Sequence, residues 1–338
     1  MASSVPAVTI LDVARVAGVS RQTVTRALNG LPDISAATRE RVVHVARQLN
    51  YRPNRAAQGL VRGRDVTIGL VMEDLRNPYY PELASALSRI AAEQGWSVIL
   101  CDIGEDANKA RARLASMVQR VDALVLTGCR TDTVGLLPRS AHRDSALGIP
   151  IVILDGSPDD QVDAVVEIDY QSGVRTALDH VTAGGRRRIA MIDSSHIASS
   201  RRQSYREYLH EHRLPWTSRS EFRADETHEG GVLASRELLD RYPDADAVLV
   251  YNDVMAIGAL KGFARAGVGV PDDIAVVGTD GLDIGTLVTP ELTSLAIDKT
   301  ALAQLAIELV DNVLSGRSPA GSRERRQLGL SLVVRESA

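Results

Sequence analysis

The chain has 338 residues, 39 Lys and Arg against 43 Asp and Glu for a formal net charge of -4, and 44% apolar residues. Taken whole, that balance argues against a nucleic-acid binder. No apolar run approaches the roughly 18 residues of a membrane span, and Cys101 and Cys129, without CxxC spacing, read as buried free thiols rather than a disulfide or metal site. The start "MASSVPAVT" lacks the basic flank and apolar core of a signal peptide, so a cytosolic protein is expected.

The charge is unevenly distributed. Residues 1–64 carry ten arginines against Asp12, Asp33 and Glu40, a net +7, which leaves -11 for the rest. A basic head on an acidic body suggests a nucleic-acid-binding module after all.

In chain order, the first signal is "TILDVARVAGVSRQTVTRALNG", Thr9 to Gly30. Val13, Ala14, Val16 and Ala17, with the Thr9 to Asp12 spacing of a capping box, predict a short helix that Gly18 can end in the left-handed conformation. Ser20 is an N-cap for a second helix from Arg21 to Leu28. Two short helices around a Gly-containing turn form a helix-turn-helix, whose second helix presents its N-terminal residues to base edges in the major groove. Those residues are Arg21, Gln22, Thr23, Thr25 and Arg26. Arg can bond bidentately to guanine and Gln to adenine, while the Thr methyl can touch the thymine methyl. Taken alone, the same two helices also fit an ordinary hairpin with a solvated basic face.

Ser35 caps a third helix over "AATRERVVHVARQLN", which places Val42, Val45 or Ala46, and Leu49 on one face. In "YRPNRAAQGLVRGR", residues 51–64, Pro53 can open a short helix that Gly59 weakens and Gly63 ends. By itself that segment reads as a linker.

From Val66 onward, β-branched runs at 66–72, 96–101, 122–127, 149–155, 188–193, 246–251 and 273–278 alternate with amphipathic stretches such as 80–94, 108–120, 171–182, 229–241, 253–266 and 300–314. Such alternation predicts parallel sheets covered by helices on both faces, with ligands bound beyond the carboxyl ends of the strands. The candidates there are Glu73 to Tyr80, Asp102, Asp155, Asn252 with Asp253, and Asp280.

With the head and the α/β body in view, the sequence resembles the lac repressor family over nearly its whole length. The match is carried in family order by motifs that include "TILDVARVAGVSRQTVTRALNG", "ISAATRERV", "LNYRPNRAAQGL", "IGLVMEDLRNPYY", "GGRRRIAMI", "VYNDVMAIGALKGFARAGVGVPDDIAVVGTD" and "TPELTSLAID". The resemblance implies an all-α headpiece over residues 1–52, a hinge helix over 53–64, and an α/β core over 65–338. That core would have two periplasmic-binding-protein-like subdomains with parallel sheets, at 66–166 plus 297–323 and 167–296 plus 324–338.

The resemblance also implies roles. Arg21, Gln22 and Arg26 match base-reading positions, joined by Thr23 from the helix reading above. Thr9, Ser20, Thr25, Asn29, Ser35, Thr38, Tyr51 and Asn54 match positions that contact phosphates. Ala57 and Leu60 match the hinge face, where Leu60 would wedge into a central minor-groove step, and Gly59 departs from the commoner polar residue. For a small-molecule effector, Arg201, Asn252 and Asp280 match positions that hold sugar hydroxyls or other polar groups. Asp155 joins them from its place after a strand, and Tyr79 or Tyr80 could stack on a pyranose face. Loop capping is the open alternative for Asn252 and Asp280, and core or interface packing for the two tyrosines. Ser195 stands where the purine repressor has an arginine, which points away from a purine ligand, and Ser204 replaces the family's common Gly near Arg201.

The rival classes are an enzyme and a transporter's solute receptor. No GxGxxG follows the early strands, GxxxxGK[ST] and GxSxG are missing, and the seven His lack HExxH spacing. The basic head and the start of the chain oppose an exported receptor. The expectation is therefore a DNA-binding regulator, most simply a repressor, that needs no cofactor and takes as partners operator DNA, a sugar-like effector and a second copy of itself. The end "LVVRESA", without leucine heptads, suggests a homodimer reading a palindromic operator.

Overall fold

A computed structural model describes residues 9–28, 33–49, 51, 66–104, 106–128, 133–138, 141, 148–156, 159–195, 199–318 and 323–338. The headpiece is three helices, α1 (Ile10–Ala17), α2 (Arg21–Leu28) and α3 (Ala36–Gln48). Thr9 donates to the Asp12 carboxylate from its N–H (2.9 Å) and its hydroxyl (2.7 Å), which holds the Asp12 carboxyl below its ordinary pKa. Gly18 ends α1 at φ 65°, a conformation that costs a residue without Cβ little. The Ser20 hydroxyl then accepts from the Thr23 N–H at 3.1 Å and starts α2. Val13, Ala17, Val24, Ala27, Val42, Ala46 and Tyr51 bury the inner faces.

The body begins with β1 (Thr67–Met72), α4 (Tyr79–Glu93), β2 (Ser97–Asp102), α5 (Ala107–Val118), β3 (Ala123–Thr127), the one-turn α6 (Thr133–Leu136), β4 (Ile151–Leu154) and β5 (Ala164–Ile168). It continues with α7 (Tyr170–Ala183), β6 (Ile189–Ser194), α8 (Ser200–Glu211), β7 (Glu221–Ala224), α9 (His228–Arg241), β8 (Ala247–Val250), α10 (Asp253–Ala266) and β9 (Ala275–Asp280). After a 3₁₀ turn at Asp283–Thr286 come β10 (Thr293–Ile297), α11 (Lys299–Leu314), β11 (Glu324–Leu328) and β12 (Leu330–Val333).

The strands form two six-stranded sheets, in the orders β11-β5-β4-β3-β1-β2 and β12-β10-β9-β8-β6-β7. β12 runs antiparallel to β10 on an otherwise parallel sheet. The seven apolar runs expected as strands all lie in these sheets. Five further strands, β5, β7, β10, β11 and β12, join them. β7, β11 and β12 are edge strands, buried on fewer sides, so sequences such as "EFRA" and "ERRQL" carry charges that hide them from an apolar-run reading. The amphipathic stretches named above do not include helix α8, because "SRRQSYREYLHE" is polar and half of its buried face, Arg201, Arg202 and Ser204 beside Tyr205, Tyr208 and Leu209, is polar as well.

The chain divides into two compact units, residues 1–74, 87–166 and 304–326, and residues 75–86, 167–303 and 327–338. The sequence reading puts the later crossings after residues 296 and 323. The difference at the last arises because β11, through Leu328, is hydrogen-bonded into the first sheet beside β5, and only Leu330 begins pairing with β10 in the second.

In the second unit α9 and α10 pack without room for a side chain between them. A Cβ on Gly258 would stand 2.1 Å from the His228 carbonyl oxygen, and one on Gly231 would stand 2.0 Å from that of Met255. Cys101 is a buried free thiol whose pKa burial raises, and Cys129 lies outside the described residues.

Candidate functional site

Most of the candidates fall into two groups, one on the headpiece and one in the second unit of the body, with Asp155 apart from both. On α2 the helical period turns Val24, Ala27 and Leu28 inward and leaves Arg21 and Gln22 exposed and Thr23, Thr25 and Arg26 half-buried. The Thr23 hydroxyl shares a hydrogen bond with Ser20 (2.9 Å), the Thr25 hydroxyl donates to the Arg21 carbonyl (3.1 Å), and Arg26 forms an ion pair with Asp33. At the start of α3 the Thr38 N–H donates to the Ser35 hydroxyl at 3.2 Å. Tyr51 is 5% exposed and closes the headpiece core; burial raises its phenol pKa while nearby Arg21 opposes the shift. Asn29, Asn54, Ala57 and Leu60 lie outside the described residues.

The second sheet has its topological switch at β6, which pairs with β7 on one side and β8 on the other. Connections leave such a point in opposite directions, which opens a crevice beyond the carboxyl ends of the strands. Ser195 follows β6, Tyr251 and Asn252 follow β8, and Asp280 ends β9. Asn252 is 2% exposed and its Oδ1 accepts the Met255 N–H at 2.8 Å, so it does cap α10, the alternative reading left open above. Ser195 donates to Asp225 at 2.9 Å and Ser194 to Glu226 at 2.6 Å.

Arg201 lies in the first turn of α8, with its N–H bonded to the Ser199 hydroxyl at 3.1 Å. Its buried guanidinium sits 3.7 Å from the ring centroid of Tyr170 and 4.2 Å from that of Tyr251. Its neighbour Arg202 pairs with the buried Asp193, Nε to Oδ2 at 3.3 Å. Burial raises the Asp193 pKa, and Arg202 and, to a smaller extent, Arg201 oppose the shift. Neither Tyr170 nor Tyr251 was singled out in the sequence; the available signal was an aromatic residue next to Asn252 at a strand end.

A second cluster surrounds Lys299. Its ammonium donates to the carbonyls of Asp280 (2.7 Å) and Gly281 (3.3 Å), pairs with Glu82 at 3.2 Å, and lies 6.0 Å from the Tyr79 ring centroid. Asp280 has φ 116°, a backbone conformation that L-residues rarely adopt, and the Lys299 contacts help to hold it. Tyr79 and Tyr80 are both buried and pack edge to face with centroids 5.3 Å apart. Asp253 serves as framework: fully buried, it accepts from the Leu282 N–H (2.7 Å) and the Ser294 hydroxyl (2.6 Å), and burial pushes its pKa up to about 6. Asp155, after β4, belongs to the first unit and has φ 54°. Among the described residues no group of three His, Cys, Asp or Glu could hold a metal ion, and no helix is long and apolar enough to cross a membrane.

A helix-turn-helix headpiece joined to an α/β body with polar side chains at a switch point defines a ligand-responsive, DNA-binding regulator. Residues 9–54 match the family described as bacterial regulatory proteins, lacI family, and residues 178–338 match the periplasmic binding protein-like domain. The ribose operon repressor of Halalkalibacterium halodurans is 31% identical over 334 residues, covering 97% of this chain and 96% of that protein. The HTH-type transcriptional regulator CelR of Thermobifida fusca is 33% identical over 347 residues, covering 97% and 98%. Among solved structures, the transcriptional regulator CelR–cellobiose complex aligns with a TM-score of 0.70 at 31% identity, over 98% of this chain and 100% of that one. The lac repressor dimer bound to operator and the anti-inducer ONPF aligns at 0.69 and 28% identity, over 98% and 99%. The chain belongs to the lacI family of bacterial regulatory proteins.

Proposed function

We propose that this regulator is a cytoplasmic, non-enzymatic repressor that binds a palindromic operator as a homodimer and is switched by a neutral sugar. The observation that carries the reading is the presence, in one chain, of a second headpiece helix with Arg21 and Gln22 exposed and of buried Arg201, Asn252 and Asp280 on segments that follow or end strands of the second sheet. Residues 1–52 are assigned to DNA reading, 53–64 to a hinge that folds on the operator, and 65–338 to effector binding and dimerisation. Arg21, Gln22, Thr23 and Arg26 take the bases, with Ala57 and Leu60 in the minor groove. Thr9, Ser20, Thr25, Asn29, Ser35, Thr38, Tyr51 and Asn54 take phosphates.

The sugar assignment draws on chemistry and on relatives. A carboxylate can accept from two neighbouring hydroxyls, and amide and guanidinium groups complement it. Relatives include a ribose operon repressor and a regulator solved with cellobiose. Tyr79, Tyr80, Asp155, Arg201, Asn252 and Asp280 are assigned to this ligand. The dimer reading is supported by Ile99 and Leu100, exposed on edge strand β2 at 39% and 44%.

Mobility shift on DNA flanking the encoding gene, with and without each member of a panel of neutral mono- and disaccharides, tests this. A sequence-selective shift reversed or enhanced by one sugar is expected. No selective shift at salt near physiological would sink the operator reading, and a shift insensitive to every sugar would sink the effector reading.

A further inference from the structure

We propose that Tyr170 and Tyr251 are positioning residues for effector binding, which clamp the Arg201 guanidinium between their rings and so fix the plane in which it can hydrogen-bond a ligand. The inference rests on the sugar-effector reading and deepens it.

The two ring centroids lie 3.7 and 4.2 Å from the guanidinium carbon, well inside the roughly 6 Å within which a cation is attracted by an aromatic face. Arg201 is 6% exposed and Tyr170 is 7% exposed, so the contact is made away from bulk water, where it is strongest. A guanidinium is planar, and its donors point outward in that plane. Rings that cover it therefore leave its N–H edge as the direction for hydrogen bonds. An in-plane fork suits two adjacent hydroxyls of a sugar, which present a pair of oxygens side by side.

The arrangement also ties Arg201 to the rest of the candidate site. Tyr251 immediately precedes Asn252, whose side chain is locked by capping α10. Tyr170 opens α7 directly after Asp169, which accepts the Ser172 N–H at 3.0 Å and fixes that helix start. Arg201 itself is held by the Ser199 cap of α8. Three separately capped helix starts thus converge on one guanidinium. A long side chain with several rotatable bonds would otherwise lose that freedom only when ligand binds, at a cost to affinity.

The clamp needs rings rather than hydroxyls. Isothermal titration of neutral mono- and disaccharides, including D-ribose, lactose and cellobiose, identifies a sugar that binds the full-length wild type; the same sugar is then titrated into the variants. Tyr170→Leu and Tyr251→Leu should each weaken it roughly 2- to 30-fold. Tyr170→Phe and Tyr251→Phe should stay within about 2-fold of wild type, because each ring is kept. In the Arg201→Lys background, which keeps the charge but removes the planar group, either Leu substitution should cost little more. Thermal unfolding and operator affinity without sugar verify that each variant is folded.

Loss with Leu, rescue with Phe and non-additivity with Arg201→Lys support the clamp. Wild-type affinity in the Leu variants, an equal loss in the Phe variants, or the same loss in the Arg201→Lys background would overturn it while leaving the sugar reading intact. If no sugar binds the wild type, the effector reading falls and the clamp falls with it.

Discussion

Arg26 of the second headpiece helix pairs its guanidinium with the carboxylate of Asp33, seven residues further along the chain. The two side chains are 41% and 70% exposed, so the pair is worth about 0–1 kcal/mol and yields readily to a stronger partner. Until DNA arrives, Asp33 holds the fork that the base-reading assignment gives to guanine. Asp33→Asn should therefore tighten operator binding by about 2- to 5-fold at low salt, an advantage that shrinks as salt screens the charge. Fluorescence anisotropy across a salt series measures this, and unchanged or weaker low-salt affinity would show that Asp33 helps to orient Arg26 instead.

Arg26→Ala should cost about 1–3 kcal/mol per half-site and relax sequence preference, because it removes a base-directed fork. Titration of operator and scrambled duplexes checks it; retained affinity with retained preference would move base reading to other residues.

Asp280→Ala and Arg201→Ala should leave operator affinity near wild type in the absence of sugar and blunt the response to it. An effector shifts the DNA equilibrium only by its differential affinity for the two arrangements of the protein. The comparison is operator affinity with and without the sugar found by titration, and a full response in both variants would place the effector elsewhere.

Gly258→Ala should destabilise the body by about 1–3 kcal/mol without a direct effect on the headpiece, because the added methyl meets a backbone oxygen rather than a movable side chain. Urea unfolding gives the change. Wild-type stability would mean that α9 and α10 can separate at little cost.

Asp253 gives a pH test. Its folded pKa of about 6 lies above its ordinary value of 3.8, so the folded state holds the proton more tightly. Its contribution is fully present below the unfolded value and is lost as pH rises from about 4 to about 6 and beyond. Asp253→Asn should therefore gain stability relative to wild type across that window, by up to about 3 kcal/mol, whatever its offset at pH 4. Chemical unfolding at several pH values follows the difference between the two proteins, and a flat difference would mean that the carboxylate remains charged at low cost.

Much of the molecule was legible in one dimension because the signals involved are local. Capping by Thr9 with Asp12 and by Ser20, the left-handed Gly18, and the 3.6-residue period of α2 act within a turn or two and produced the headpiece as expected. The apolar runs of the central strands are equally local, since a strand buried on both faces must be apolar throughout. Through the family resemblance, the order of these elements was enough to indicate the kind of protein.

Edge strands and side-chain meetings were decided only by the tertiary structure. β11 is a charged segment whose strand character comes from pairing with β5, more than 150 residues earlier, so its own composition says little. Arg201 and Arg202 are adjacent and chemically identical, yet they point about 100° apart around α8. That turn sets one against the rings of Tyr170 and Tyr251 and gives the other its ion pair with the buried Asp193. Sequence spacing determines the angle between the two side chains. What each of them meets depends on which elements pack against the helix, and that is settled only when the whole unit folds.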